Sequence, residues 1–422
     1  MRVAPGTLED MRRRAWTEPT WLLLVGCLLA GSCTSSHRGG PVSGSTAGTP
    51  TSVASTSSSN TAETVGGSTP CPSPPGQLIP DDDTYAPLLA GVQMVSPERG
   101  WVVGKGLILA TTDGSHWQWQ YDGEEPFMFV DAVDGNHVWA AGRHHLFGTS
   151  DGGRHWAQLG SPPAPLRSVH FLDAKRGFGV AGFPSVVHDG VTMGAHVGTL
   201  VQTFDGGLTW ETLSAPCHVE SVCFTTLDDG WLVTSGEAYR SEDAGGHWRE
   251  VFRFPRGDGW FPTVQCARPH AAWVLLESRG GALSHSAHVA YQSGDGGATW
   301  TAVFVEGYTN VDQINAPEKT PGSYPGPFSV VGPSDAVFVG YTPPLDNPTA
   351  TIVATHGGRS LGEVRPVPLA QFFPSGASFV SLERGWIVGA VDGTGGALAP
   401  GTRVILATSD GGRTWTTQYH LP

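Results

Sequence analysis

Short apolar runs, each preceded by a polar turn, recur along the chain from residue 98 onward. Three copies place a Gly-Trp pair at the head of the run, at 98–104, 228–233 and 383–389. Weaker copies lie at 136–139, 175–178, 270–273 and 334–338. Each copy has the length and composition of a buried β-strand that follows a turn.

A second motif alternates with the first and consists of an aspartate, two glycines and a tryptophan. Copies end at residues 117, 156, 210, 248, 300, 361 and 415, and the copy at 355–361 has lost both Asp and Trp. Glycine supplies the positive φ of a tight turn, the carboxylate accepts backbone N–H groups, and the tryptophan opens the next strand. We therefore assign structural roles to these aspartates and tryptophans: Asp113, Trp117, Asp151, Trp156, Asp205, Trp210, Asp243, Trp248, Asp295, Trp300, Asp410 and Trp415.

Seven copies of one motif interleave with seven of the other, at intervals suited to a four-stranded blade with loop insertions. The sequence therefore predicts an all-β fold, a single seven-bladed β-propeller with Asp-box hairpins, over 78–422.

The paired motifs resemble the bacterial-neuraminidase-repeat (Asp-box) propellers of the sialidase-like superfamily, and are most similar to photosystem II stability and assembly factor-like proteins. The resemblance covers roughly residues 90–419 and implies a chaperone-like scaffold. It also implies an arginine patch that faces the partner. Arg99, Arg176 and Arg384 recur at one repeat position, and Tyr308 lies in a long insertion, so we take these four as candidate partner-binding residues. The alternative for the arginines is hydrogen bonding within their own turns.

The first 33 residues have the layout of an export signal. Three arginines precede an apolar run at 21–31, which is too short to span a bilayer. The run ends in a sequence that resembles a lipobox, with Cys33 as the lipidated residue and Cys27 as the alternative; plain secretion is the competing interpretation. Residues 34–77 are nearly all Ser, Thr, Gly, Pro and Ala, which predicts a disordered tether. We expect a lipoprotein on the outer face of the cell membrane.

The charge composition restricts the classes of partner that the chain is expected to bind. The net charge is −14 and only three lysines occur, so the chain lacks the basic stripe that binding to nucleic acid requires. Membrane contact is expected through the lipid anchor only. The predicted partner is a membrane or cell-envelope protein, with a glycan as the alternative.

An enzyme is the less favoured interpretation. Sialidases need an arginine triad, and the nearest string to their Arg-Ile-Pro motif, at 252–255, follows the fourth Asp-box in a predicted outer strand. Other glycosidases use a carboxylate pair, for which Glu306 and Asp312 are loop candidates. No histidine pair has metal-ligand spacing. We predict a non-catalytic protein-binding scaffold without catalytic, cofactor or metal residues; the alternative is a carbohydrate- or wall-binding module or a glycosidase.

Four cysteines remain for two disulfides: Cys71, Cys217, Cys223 and Cys266. Cys223–Cys266 and Cys217–Cys223 are both compatible with the repeat positions.

Overall fold

The structure is a computed structural model. It describes residues 64–65, 88–142, 144–182, 186–188, 191–193, 198–255, 260–282, 285–307, 320–342, 349–391, 398–399 and 401–421. All of these residues belong to one compact unit, within 60–422. The predicted export signal with Cys27 and Cys33, nearly all of the tether, Cys71, Tyr308 and Asp312 lie outside the described residues.

The first three sheets, in chain order, are antiparallel. The first contains β2 (Gly91–Met94), β3 (Gly100–Thr111), β4 (Trp117–Ala132), β5 (Val138–Gly142), β6 (Leu146–Thr149) and β7 (Ala157–Gln158). The second contains β8 (Leu166–Phe171), β9 (Gly177–Ala181), β12 (Thr199–Thr203) and β13 (Glu211–Thr212), while β10 (Val186–His188) and β11 (Val191–Met193) form a separate hairpin. The third contains β14 (Val219–Thr226), β15 (Asp229–Thr234), β16 (Glu237–Ser241) and β17 (Trp248–Arg253), whose outer edge pairs with β1 (Thr64–Val65).

The remaining three sheets repeat the pattern. The fourth contains β18 (Trp260–Ala267), β19 (Ala271–Ala282), β20 (His285–Ser293) and β21 (Thr301–Glu306). The fifth contains β22 (Tyr324–Gly332), β23 (Asp335–Thr342), β24 (Thr349–His356), β25 (Ser360–Leu361) and β26 (Arg365–Ala370). The sixth contains β27 (Phe372–Phe379), β28 (Gly385–Val391), β29 (Arg403–Thr408) and β30 (Thr416–Leu421). Among the described residues no helix is long and apolar enough to cross a membrane.

The all-β propeller is present, but the prediction of seven blades is wrong: the structure has six. The first two repeats share the 16-residue strand β4. Its first half pairs with β3, from Trp117 to Pro126, and its second half pairs with β5, from Phe127 to Ala132. Because one uninterrupted strand serves both repeats, they form a single six-stranded sheet instead of two blades.

The core lies between neighbouring sheets. The tryptophans of the Gly-Trp motif, Trp101, Trp231 and Trp386, are fully buried, as is Trp273 at the corresponding position of the fourth sheet. Each sheet contributes side chains to clusters shared with the next sheet; Ile387 and Leu406, for example, pack with Val337 and Ile352. Stability therefore depends on stacking neighbouring repeats, because a single sheet leaves apolar surface exposed.

A circuit of hydrogen bonds joins the innermost strands. At each step a polar side chain on one inner strand bonds to the backbone of the next. The links are Gln93 to Ala132, Asp131 to Phe171, His170 to Phe224, Ser221 to Val264, Gln265 to Phe328 and Val330, Ser329 to Phe379, and Ser378 back to Met94. The last link joins β27 to β2 and closes the ring.

Candidate binding cavity on the propeller axis

A cavity of about 420 Å³ lies where the inner strands converge. Its walls come from β2, β4, β8, β18, β19, β22 and β27, so five of the six sheets contribute. Polar and apolar groups contribute nearly equal parts of its surface. The apolar side chains of the wall include Met128, Phe129, Val169, Phe261, Pro325 and Phe328. Its volume is within the range of about 300–1,000 Å³ that is typical of small-ligand sites.

Glu277 is the ionisable residue among the described residues that line this cavity. It lies on β19 opposite Phe261 of β18, and the alternation of the two strands directs both side chains to one face. From the described residues its carboxylate accepts one long hydrogen bond, from Ser286 Oγ at 3.4 Å. Burial raises the pKa of Glu277, and the bond from Ser286 offsets only part of that rise. The cavity therefore holds a desolvated carboxylate with weak internal compensation.

Four further polar side chains line the cavity, those of Ser168, Thr263, Gln265 and Ser375. Thr263 is exposed on β18, two residues from Phe261. Ser168 Oγ on β8 is buried and has no hydrogen-bond partner in the structure. A buried hydroxyl without a partner carries a desolvation cost that a ligand or a water molecule removes.

Several inner strands contain a β-bulge at a corresponding position, and each bulge changes the direction in which the local side chains point. The strand registers skip Met128, Arg167, Glu220 and Ser375, one residue on each of β4, β8, β14 and β27. Met128 and Ser375 line the cavity. Arg167 and Glu220 form an ion pair at 2.7 Å whose side chains are 16% and 2% exposed. This pair ties the second sheet to the third, at a position that repeats around the ring.

A row of ionisable residues extends outward from Glu277 along the fourth sheet. Glu277 is paired with His288 in the register of β19 and β20, and His288 is paired with Glu306 in that of β20 and β21. His288 is fully buried and its Nδ1 donates to Ser286 O at 2.7 Å. Glu306 accepts from Thr320 Oγ1 at 3.1 Å. The sequence predicts Glu306 as a loop carboxylate, and Glu277 was not predicted. The signal that points to Glu277 is the strand alternation that places Glu277 and Leu275 on the cavity face.

The aspartates of the second motif lie in turns at the outside of the sheets. In the second sheet Asp205 accepts from Thr209 N at 2.9 Å and Thr209 Oγ1 at 2.6 Å. Thr203 Oγ1 donates to the same carboxylate at 2.9 Å and accepts from Gly207 N at 2.9 Å. These hydrogen bonds lower the pKa of Asp205, with the bond from the Thr209 side chain contributing most. The carboxylate thus caps its own turn.

Histidine replaces threonine in three copies. The Nδ1 atoms of His116, His155 and His247 lie 2.7, 2.6 and 2.6 Å from the carboxylates of Asp113, Asp151 and Asp243. The turns of Asp295 and Asp410 repeat the threonine arrangement. The tryptophans that follow each turn pack inward: Trp117 and Trp248 are buried, and Trp156, Trp210, Trp300 and Trp415 are half-buried.

The predicted arginine ring is engaged in internal contacts. Arg99 Nη2 donates to Gly135 O at 2.9 Å and to Gly152 O at 3.2 Å, and Arg384 Nη2 donates to Pro97 O at 3.0 Å. Both guanidinium groups lie over the tryptophan two residues onward, at 5.1 and 5.6 Å. Arg176 bonds to Asp173 of its own turn. The structure therefore does not bring these three side chains together as one free patch.

One disulfide joins neighbouring inner strands. Cys223 on β14 and Cys266 on β18 are bonded, with their Cα atoms 6.0 Å apart. This excludes the alternative pairing of Cys223 with Cys217, and Cys217 is itself disulfide-bonded. Within the part of the chain that the structure describes, no group of three or more His, Cys, Asp or Glu residues could hold a metal ion.

The antiparallel sheets, the ring of inner-strand bonds and the outer Asp turns define the chain as a β-propeller. No family model matches it. It is similar to the photosystem II assembly lipoprotein Ycf48 of Synechococcus sp. (strain CC9902), with 28% identity over 131 residues, which are 28% of this chain and 35% of that protein. The matched part thus spans about a third of the relative's length. This match confirms the predicted resemblance to photosystem II assembly factor-like proteins.

Two solved propellers are similar in fold. One is YCF48 bound to D1 peptide, at a TM-score of 0.46 and 16% identity, covering 78% of this chain and 92% of that one. The other is the GH74 xyloglucanase from Xanthomonas campestris, at a TM-score of 0.45 and 15% identity, covering 68% and 44%.

Proposed function

We propose that the chain is a non-catalytic propeller that binds a membrane or cell-envelope protein and assists its assembly. The observation that carries the proposal is the sequence similarity to a protein described as a photosystem II assembly lipoprotein. The proposal concerns the scaffold role and not photosynthesis.

The test is capture from detergent-solubilised membranes of the source organism with the tagged full-length chain as bait, followed by mass spectrometry. We expect one membrane protein in near-stoichiometric amount. A glycan array and a reducing-sugar assay on the same preparation provide the comparison. Glycan binding or sugar release without a captured protein would replace the scaffold by the carbohydrate alternative.

We also propose that Cys33 carries a lipid that holds the chain on the outer face of the membrane. The sequence before Cys33 and the word lipoprotein in the relative's description support this. Labelling with a fatty-acid analogue tests it. Cys33→Ala should abolish the label and Cys27→Ala should keep it; the reverse pattern would assign the anchor to Cys27.

A further inference from the structure

The axial cavity combines the weakly compensated carboxylate of Glu277 with walls that contain aromatic, apolar and uncharged polar side chains. The lining residues that the structure describes include no lysine, arginine or histidine. Glu277 forms no ion pair with a described cationic side chain, and its one hydrogen bond with a described residue is 3.4 Å long. Burial of a carboxylate without a counter-charge is costly, and an opposite charge at 4–6 Å offsets the cost.

From this arrangement we infer that the cavity binds an alkylammonium or guanidinium group, presented as the lysine or arginine side chain of an extended peptide. The inference rests on the proposed function, since it names the chemistry by which the partner protein is recognised.

The walls fit the apolar part of such a side chain. Lysine and arginine place a charge at the end of an aliphatic stem, and the stem can pack against Phe261 and Phe328 while the charge meets Glu277. Aromatic faces also attract cations directly. A bare metal ion fits less well, because hard cations require several oxygen ligands and the lining offers one carboxylate.

The net charge of the whole molecule also favours a cationic ligand. The formal net charge is −14. A cationic segment is therefore attracted at long range before it reaches the cavity, and anionic ligands are repelled. Thr263, which is exposed in the cavity wall, supplies a hydrogen-bonding group for the peptide backbone next to the bound side chain.

The experiment is a calorimetric titration of the full chain with two matched peptides, Ac-Ala-Pro-Lys-Pro-Ala-NH2 and its norleucine analogue. We expect the lysine peptide to bind about tenfold more tightly, a difference of about 1.4 kcal/mol. Glu277→Gln should remove the preference. Glu306→Gln is the matched control, because Glu306 lies in the same cross-strand row but outside the cavity lining, and it should keep the preference. Thermal melts establish that both variants are folded.

Equal binding of the two peptides by the wild type, or an unchanged preference in Glu277→Gln, would overturn the inference. Cadaverine alone is the third ligand; if it binds as tightly as the lysine peptide, the cavity takes a free amine and the peptide assignment fails. Repeating the membrane capture with Glu277→Gln separates the two proposals. If the variant captures the partner protein at the wild-type level, the cavity is not required for partner recognition, and the scaffold role remains. A lysine preference without any captured protein would refute the scaffold role alone.

Discussion

At the scale of single residues, the repeated turn is stabilised by a carboxylate that stays ionised. Hydrogen bonds from the Thr414 side chain and backbone hold the pKa of Asp410 at about 2. Bonds from His116 and His155 likewise hold the pKa of Asp113 and Asp151 well below their ordinary value. All three carboxylates are ionised at neutral pH. Each therefore accepts the hydrogen bonds that fix its own turn.

These shifts predict acid sensitivity. A carboxyl whose pKa is lower in the folded state stabilises the fold above its unfolded pKa of about 3.9, and this contribution disappears as pH falls through the folded value. We expect the melting temperature to fall steeply between about pH 4 and pH 2. Asp410→Asn should show a smaller drop over that window, measured by circular dichroism. An identical profile in the variant would contradict the assignment.

The glycines of the turn differ in what surrounds them. Gly297 has a φ of +84°, and a Cβ there would lie 2.8 Å from Val251 Cβ, whereas Gly357 has a φ of +60° and open space. We expect Gly357→Ala to lower the free energy of unfolding by about 1 kcal/mol, the cost of the left-handed backbone. Gly297→Ala should cost about 3 kcal/mol because overpacking is added. Urea denaturation measures both; equal losses would show that backbone strain alone matters.

At the scale of the strand and sheet, arginines join each repeat to the next. Arg240 on β16 is 9% exposed and donates to Asp229 Oδ1 at 3.0 Å and to Gly296 O of the fourth sheet at 3.3 Å. It also lies over Trp231. Arg176 forms a pair of similar length with Asp173, but both side chains are largely in solvent.

Arg240→Met should lower the free energy of unfolding by about 3 kcal/mol, because it leaves Asp229 buried without its main counter-charge. Arg176→Met should cost less than about 1 kcal/mol, as is usual for exposed pairs. Both variants replace an arginine by a methionine. Chemical denaturation therefore compares the buried Arg240–Asp229 pair with the exposed Arg176–Asp173 pair directly. A loss of similar size in both would mean that the inter-sheet contact contributes little.

The local parts of the fold could be predicted from the sequence, because their interactions span few residues. The Asp205 turn bonds only to residues two to four positions away, so its composition reveals it. The blade count depends on whether β4 continues through 122–126, and that polar stretch gives no sign that two repeats share a strand. The cavity could not be predicted either, since Glu277 is a lone carboxylate whose position depends on the register of β18 and β19.

At the scale of the whole molecule, the ring is closed between the sixth sheet and the first. Gln418 accepts from the indole nitrogens of Trp117 and Trp386 at 3.0 and 3.1 Å, and donates to Gly114 O at 2.9 Å. Ser378 Oγ accepts from Met94 N at 2.9 Å on the inner strands. One amide thus connects both flanks of the closing seam.

Gln418→Met should lower the free energy of unfolding by about 2 kcal/mol, because it leaves a buried indole N–H without its acceptor. Hydrogen exchange should accelerate in β3 and β29 together, since both flank the seam. Gln292→Met is the control: its amide donates to Pro333 O at 2.9 Å within the ring, and its loss should affect the fourth and fifth sheets instead. Faster exchange confined to β29 would show that the seam is not a cooperative closure.

The closing seam can form only late in biosynthesis, because its two sides lie far apart in the sequence. Gly114 and Gln418 are separated by 304 positions, so a nascent chain exposes the open flank of its first sheet until almost the whole ring has been translated. During that interval the flank that bears Trp117 is available to chaperones or to other unfinished copies. A polypeptide interrupted before Trp386 lacks the closing contacts of Gln418 and leaves the flanks of an open ring exposed at both ends.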